Sequence, residues 1–117
     1  MVEGIHAENV TKWFAANIGG VKPPLSFSLI AGGHSNLTYK VIDSIQNVYV
    51  LRRPPLGHVL ESAHDVGREY KIISALGQTD VPVAPALGLC KDKMVNESDF
   101  YVMRFVDGTV YEDSAML

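Results

Sequence analysis

Three apolar–polar alternating segments lie within residues 25–52, separated by connections of only a few residues, and this spacing constrains the fold more than any other feature of the chain. In the first, over residues 25–30, Leu25, Phe27 and Leu29 alternate with Ser26 and Ser28. In the second, over residues 37–43, Leu37, Tyr39 and Val41 share one face. The third covers residues 47–52 and carries Val48, Val50 and Arg52 on one face and Tyr49 and Leu51 on the other. Period-two alternation is the mark of a strand with one covered face. Neighbouring strands joined by tight turns must run antiparallel, because a parallel partner requires a long crossover. The spacing therefore predicts two successive hairpins, a three-stranded antiparallel meander.

The flanking sequence completes the element order. Val10, Trp13, Phe14 and Ile18 recur at helical spacing over residues 6–18, and Gly19-Gly20 ends that helix. Pro23-Pro24 imposes an extended entry to the first strand. After Pro54-Pro55, residues 62–76 predict a second helix with Val66, Tyr70, Ile73 and Leu76 as its apolar stripe, Ser62 as N-cap and Gly77 closing it. Gly67 inside this helix costs about 1 kcal/mol relative to alanine. Residues 81–85 form an extended connector, and residues 87–91 and 99–106 read as two further strands with a polar turn between them. Strands and helices do not alternate, which argues against a parallel doubly wound sheet. The expected class is α+β: a five-stranded antiparallel sheet with one helix between strands three and four and an extra helix at the N-terminus.

Composition excludes several functions. A formal net charge of −3 and a single dense cationic spot, Arg52-Arg53, are unlike the basic surface of a nucleic-acid binder. No apolar run approaches the ~20 residues of a membrane span, and residues 1–6 lack the basic and apolar regions of a secretory signal. Cys90 is the only cysteine, which rules out an internal disulfide and fits a reducing, cytoplasmic setting. Its place in a strand predicts a buried structural thiol. His6, His34, His58 and His64 do not form a metal-ligand spacing.

Chemistry concentrates at three places. The turn Gly32-Gly33-His34-Ser35-Asn36 lets backbone approach an anion closely, with Ser35, Asn36 and Thr38 as added donors. The same glycines equally serve the dihedrals of a plain hairpin. Neither a P-loop nor a dinucleotide fingerprint is present, since no Gly-Lys-Ser/Thr follows and the next element is a strand. Arg52 ends an apolar strand, either reaching water at the sheet edge or facing inward. Glu69 falls within the apolar stripe of the second helix, between Val66, Ile73 and Leu76, whereas Arg68 points outward. A carboxylate on a covered face needs a partner, and Arg52, on the strand just before this helix, is the obvious one. That pair is either a phosphate clamp of the kind kinases use or purely structural, and the remaining alternative is a Glu69 at the margin of the stripe that bends to solvent. The third place is the strand ending Met103-Arg104-Phe105-Val106-Asp107-Gly108, whose backbone can read the edge of an adenine or simply close a buried strand.

In order along the chain, Gly-Gly-His-Ser-Asn-Leu-Thr-Tyr (32–39), Tyr-Val-Leu-Arg-Arg-Pro-Pro (49–55), Ser-Ala-His-Asp-Val-Gly-Arg-Glu-Tyr (62–70), Val-Pro-Val-Ala-Pro (81–85) and Phe-Tyr-Val-Met-Arg-Phe-Val-Asp-Gly (100–108) make the sequence resemble the aminoglycoside phosphotransferase-like kinases, in the branch often fused to acyl-CoA dehydrogenases. The resemblance covers nearly the whole chain. It implies a protein-kinase-like N-lobe over residues 1–108 and, over 109–117, the start of a linker to a C-terminal lobe. It implies transfer of the γ-phosphate of ATP, or sometimes GTP, to a small-molecule hydroxyl. Gly32, Gly33, His34, Ser35 and Asn36 would lie over the triphosphate. Arg52 would take the place of the phosphate-contacting lysine, with Glu69 as its helix partner. Val50 would line the adenine slot, and Met103, the Arg104 carbonyl and the Val106 N–H would complete it. Arginine for lysine at 52, and Arg104 where a glutamate is more usual, are departures from the family pattern. The family's catalytic His-x-Asp loop and its later metal-binding Asp do not occur here, so a general base and the Mg2+ ligands would belong to the other lobe. An aminoglycoside, a choline-like alcohol or a hydroxyacyl-CoA would be the acceptor. The competing expectation is a non-catalytic lobe that dimerises through its apolar hinge face.

Overall fold

A computed structural model describes residues 4–31, 37–54, 66–77, 85–96 and 98–105. Its elements are α1 (Ala7–Asn17), β1 (Ser26–Ala31), β2 (Leu37–Ile42), β3 (Val48–Arg53), α2 (Val66–Leu76), β4 (Ala86–Cys90), α3 (Lys93–Asn96) and β5 (Phe100–Arg104). The strands form one five-stranded sheet in the order β1-β2-β3-β5-β4, antiparallel throughout. The expected α+β class, the meander and the single helix between the third and fourth strands are all present. Boundaries shift by one or two residues, as element ends commonly do. The expected helix start at residues 62–65, with its Ser62 cap, and most of the 81–85 connector lie outside the described residues.

Strand order was not read from the sequence. β5 sits between β3 and β4, so β3 is the sheet centre and β4 an edge. The run Val48-Tyr-Val-Leu-Arg-Arg53 is buried along almost its whole length, as a strand covered on both faces must be. Its alternation divides the core. Tyr49 and Leu51 face a cluster with Tyr39, Val41 and Val102, covered by Val10 and Phe14 of α1. Val50 faces a second cluster with Tyr101 and Met103, covered by Val66 and Ile73 of α2. Each helix thus lies on its own side of one sheet. Among the described residues no helix is long and apolar enough to cross a membrane.

Aromatic edges key α1 to the sheet. Trp13 meets Phe100 with ring centroids 5.0 Å apart, and Phe14 meets Tyr49 at 5.7 Å, both edge-to-face. Gly88 lies under the Trp13 ring, where an added Cβ would stand 3.0 Å from Cη2. The expectation of Trp13 as an anchor and of Cys90 as a buried thiol both hold. Burial pushes the Cys90 thiol pKa up, which suits an inert packing role.

The polar turn between β4 and β5 contains a short helix, α3, that the sequence did not reveal. Asp92 starts it by accepting the Met94 N–H at 2.9 Å. It delivers Asn96, fully buried, to the segment before α1. The Asn96 side chain accepts the His6 N–H at 2.7 Å and donates to the Gly4 carbonyl at 3.0 Å. Arg53 donates to the same carbonyl at 2.9 Å. The N-terminal helix is therefore held to the sheet by hydrogen bonds as well as by its apolar face.

Asp43 secures the β2–β3 turn. Its carboxylate accepts the backbone N–H groups of Lys22 at 3.0 Å, Ile45 at 3.1 Å and Asn47 at 2.8 Å. Burial alone would raise its pKa, but these bonds and the Asn47 side chain outweigh it and lower the value from 3.8. A lowered folded-state pKa contributes stability above the unfolded value that is lost as pH falls through the folded one. The melting-temperature gap between wild type and Asp43→Asn is therefore expected to be widest above about pH 4 and to narrow as the pH falls below that. A gap that stays constant on acidification would show that the charge of Asp43 contributes nothing.

Candidate active site

The α2 side of the sheet carries the charged groups. On β3, alternation sends Arg52 to the same face as Val50, so its guanidinium enters the gap between sheet and α2. On α2, Glu69 sits one turn after Val66 and one turn before Ile73, both buried, which points it at the sheet. The two meet: Arg52 Nη1 lies 3.4 Å from Glu69 Oε1, with the arginine side chain 0% exposed and the glutamate 25%. The sequence left Arg52 open between an edge charge reaching water and an inward one; the structure places it fully inside. Arg68 is exposed, as its helical position requires.

Sequence reasoning missed a third member. Tyr101, also fully buried, is the cross-strand partner of Arg52, and its hydroxyl donates to Glu69 Oε1 at 2.8 Å. Burial, and then the Glu69 charge, push its phenol well above the usual range, while the Arg52 charge pulls the other way. The signal for Tyr101 was present in part: strand alternation puts it on the face of Met103. Its proximity to Arg52 depended on β5 pairing with β3.

Val50 and Met103 are themselves a cross-strand pair, and both are buried in the α2-side cluster. Lys40, opposite Val50 on β2, holds its ammonium 5.0 Å from the Phe105 ring centroid, within cation–π range. Arg104 shares the opposite face with Tyr49, and its side chain is exposed. The Phe105 N–H donates to the Val48 carbonyl at 3.2 Å and the Arg104 N–H to the Pro85 carbonyl at 2.9 Å. Backbone groups alternate along a strand, so the Arg104 carbonyl points away from β3, on the edge it shares with β4.

Gly32, Gly33, His34, Ser35, Asn36 and Val106 lie outside the described residues. The strands around the glycine turn are described, and they form the expected antiparallel pair. Thr38, just beyond that turn, is paired with Arg52, so β2 begins at the level of the ion pair. Among the described residues, no group of three or more His, Cys, Asp and Glu side chains is placed to hold a metal ion.

An antiparallel sheet with a buried strand cation, answered by a helix carboxylate on one face, suits a phosphotransferase-like protein, and comparison with known proteins agrees. The sequence matches the phosphotransferase enzyme family over residues 26–117, and the chain belongs to that family. It is 38% identical over 109 residues to a "probable acyl-CoA dehydrogenase" of Arabidopsis thaliana, covering 87% of this chain and 13% of that protein. It is 37% identical over 93 residues to acyl-CoA dehydrogenase family member 10 of Mus musculus, covering 80% of this chain and 9% of that one. A solved structure from Ralstonia eutropha, described as a "putative aminoglycoside phosphotransferase", superposes with a TM-score of 0.72 at 37% identity, covering 91% of this chain and 29% of that chain. The chain thus spans only a small part of each of these relatives, and the branch expected from its motifs is the one found.

The two charges are not equivalent in burial, and this predicts unequal mutants. Removing Glu69 leaves a guanidinium inside the protein without its carboxylate, a change that typically costs about 3–5 kcal/mol. Removing Arg52 leaves a carboxylate that already reaches solvent. Urea unfolding is expected to show Glu69→Ala as the more damaging, with Arg52→Met, which keeps the buried aliphatic stem, within about 1.5 kcal/mol of wild type. The reverse order would mean that Arg52 does not rely on Glu69.

Proposed function

We propose that this chain is the nucleotide-gripping lobe of a kinase that moves the γ-phosphate of ATP, or of GTP, to a small-molecule hydroxyl. The observation that supports it most directly is the fully buried Arg52 meeting Glu69 at 3.4 Å on the sheet face. Phosphoryl transfer asks little covalent chemistry of a protein; it asks for positioning and for neutralisation of charge on the phosphate oxygens. Arg52 would contact those oxygens, with Glu69 orienting the guanidinium. The turn at residues 32–36 would supply backbone N–H groups above the triphosphate. Val50 and Met103 would form the apolar wall for the adenine, and the Arg104 carbonyl with the Val106 N–H would read its edge. Mg2+ would supply neutralisation of charge on the phosphates, and its ligands and the general base would come from a second lobe.

The acceptor would be held mainly by that second lobe. Relatives named as acyl-CoA dehydrogenase family members favour a hydroxyacyl-CoA over an aminoglycoside or a choline-like alcohol.

Titration of the intact protein with ATP tests this reading. Arg52→Ala is expected to weaken ATP binding by about tenfold or more, the cost of a lost charge-assisted contact, and to lower turnover. If ATP affinity and turnover both match wild type, Arg52 is not in the active site.

A further inference from the structure

Which contact holds Glu69 against the sheet is decided by distance. Among the described residues, the Tyr101 hydroxyl stands 2.8 Å from its Oε1 and Arg52 Nη1 3.4 Å from it. The first is a full hydrogen bond to an ionised acceptor, whereas the second is longer than the ~2.7–2.9 Å of a charge-assisted bond. The glutamate side chain is 25% exposed, so water competes for it. Its shortest anchor in the sheet is therefore a neutral phenol rather than the arginine.

Tyr101 suits that task. It is buried on the central strand pair, directly opposite Arg52, and its ring also touches α2 through Tyr70, with centroids 6.0 Å apart. Because its pKa is raised, it keeps its proton and remains a donor. It adds no charge of its own, so it can fix the carboxylate without repelling an anion brought to Arg52.

We propose that Tyr101 is a positioning residue: its hydroxyl ties the Glu69 carboxylate, and α2 with it, to β5, and so sets the arginine that grips the nucleotide phosphates. The last step rests on the phosphotransferase reading above. The tether between β5 and α2 stands on geometry alone.

Tyr101→Phe removes one oxygen and leaves the packing. In the intact protein without nucleotide, amide hydrogen exchange over Val66–Leu76 is expected to quicken about tenfold, the effect of losing one bond to a charged acceptor. ATP affinity is expected to fall about tenfold while adenosine affinity stays unchanged, since adenosine lacks the phosphates. A merely structural role would weaken both ligands alike. In a Glu69→Ala background, Tyr101→Phe is expected to have no further effect on ATP, because it acts through the carboxylate. Unchanged exchange in α2, or an equal loss of ATP affinity with and without Glu69, overturns the proposal and leaves the phosphotransferase reading intact. If exchange quickens but wild type and Arg52→Ala bind ATP equally, the tether is upheld and the assignment of Arg52 to the nucleotide phosphates falls.

Discussion

Burying a guanidinium at the centre of a sheet is the constraint around which this lobe is arranged. A cation taken from water costs several kcal/mol unless it is paired, and Arg52 is wholly enclosed. No neighbour on β2 supplies a carboxylate: its β2 partner is Thr38. The charge is answered from α2, the helix that follows the strand. For α2 to reach it, the helix lies over β5 and β4, beside the meander rather than across it. That placement leaves the opposite face of the sheet to α1, and the two apolar clusters follow from it.

The neighbouring arginine shows how far strand alternation carries this logic. In sequence, Arg52-Arg53 reads as one small cationic spot. In the fold the two side chains leave on opposite faces and both are buried. Arg52 meets the helix carboxylate. Arg53 instead donates to carbonyls, of Pro54 at 2.8 Å and of Gly4 at 2.9 Å. One arginine serves the candidate active site and the other secures the N-terminal segment, through a carbonyl it shares with Asn96. Neither leaves its charge on the surface, which agrees with the absence of a basic track in the composition.

Much of this was legible beforehand because it depended on local period. Alternation in residues 25–52 gave the meander, and the position of Glu69 within its stripe gave the pairing with Arg52. What the sequence did not disclose was non-local. Nothing in residues 86–104 states that β5, rather than β4, lies beside β3. Without that register Tyr101 reads as one more aromatic in an apolar strand. Asn96 was hidden for the same reason: its partners, Gly4 and His6, are some ninety residues away. The α3 turn holding it is too short to show a helical period.

The departure from lysine at position 52 also becomes intelligible. A lysine so enclosed tends to lose its proton, because burial favours its neutral form. An arginine keeps its charge and carries several donors in a rigid plane. The only carboxylate found at its tip, among the described residues, is shared with a phenol and stands at 3.4 Å. A point charge held that loosely would drift or neutralise. A planar cation packed between Tyr101, Glu69 and the strand keeps both its orientation and its charge. The arginine and the tyrosine therefore read as one device: the phenol immobilises the carboxylate, and the guanidinium is the cation that tolerates such a setting.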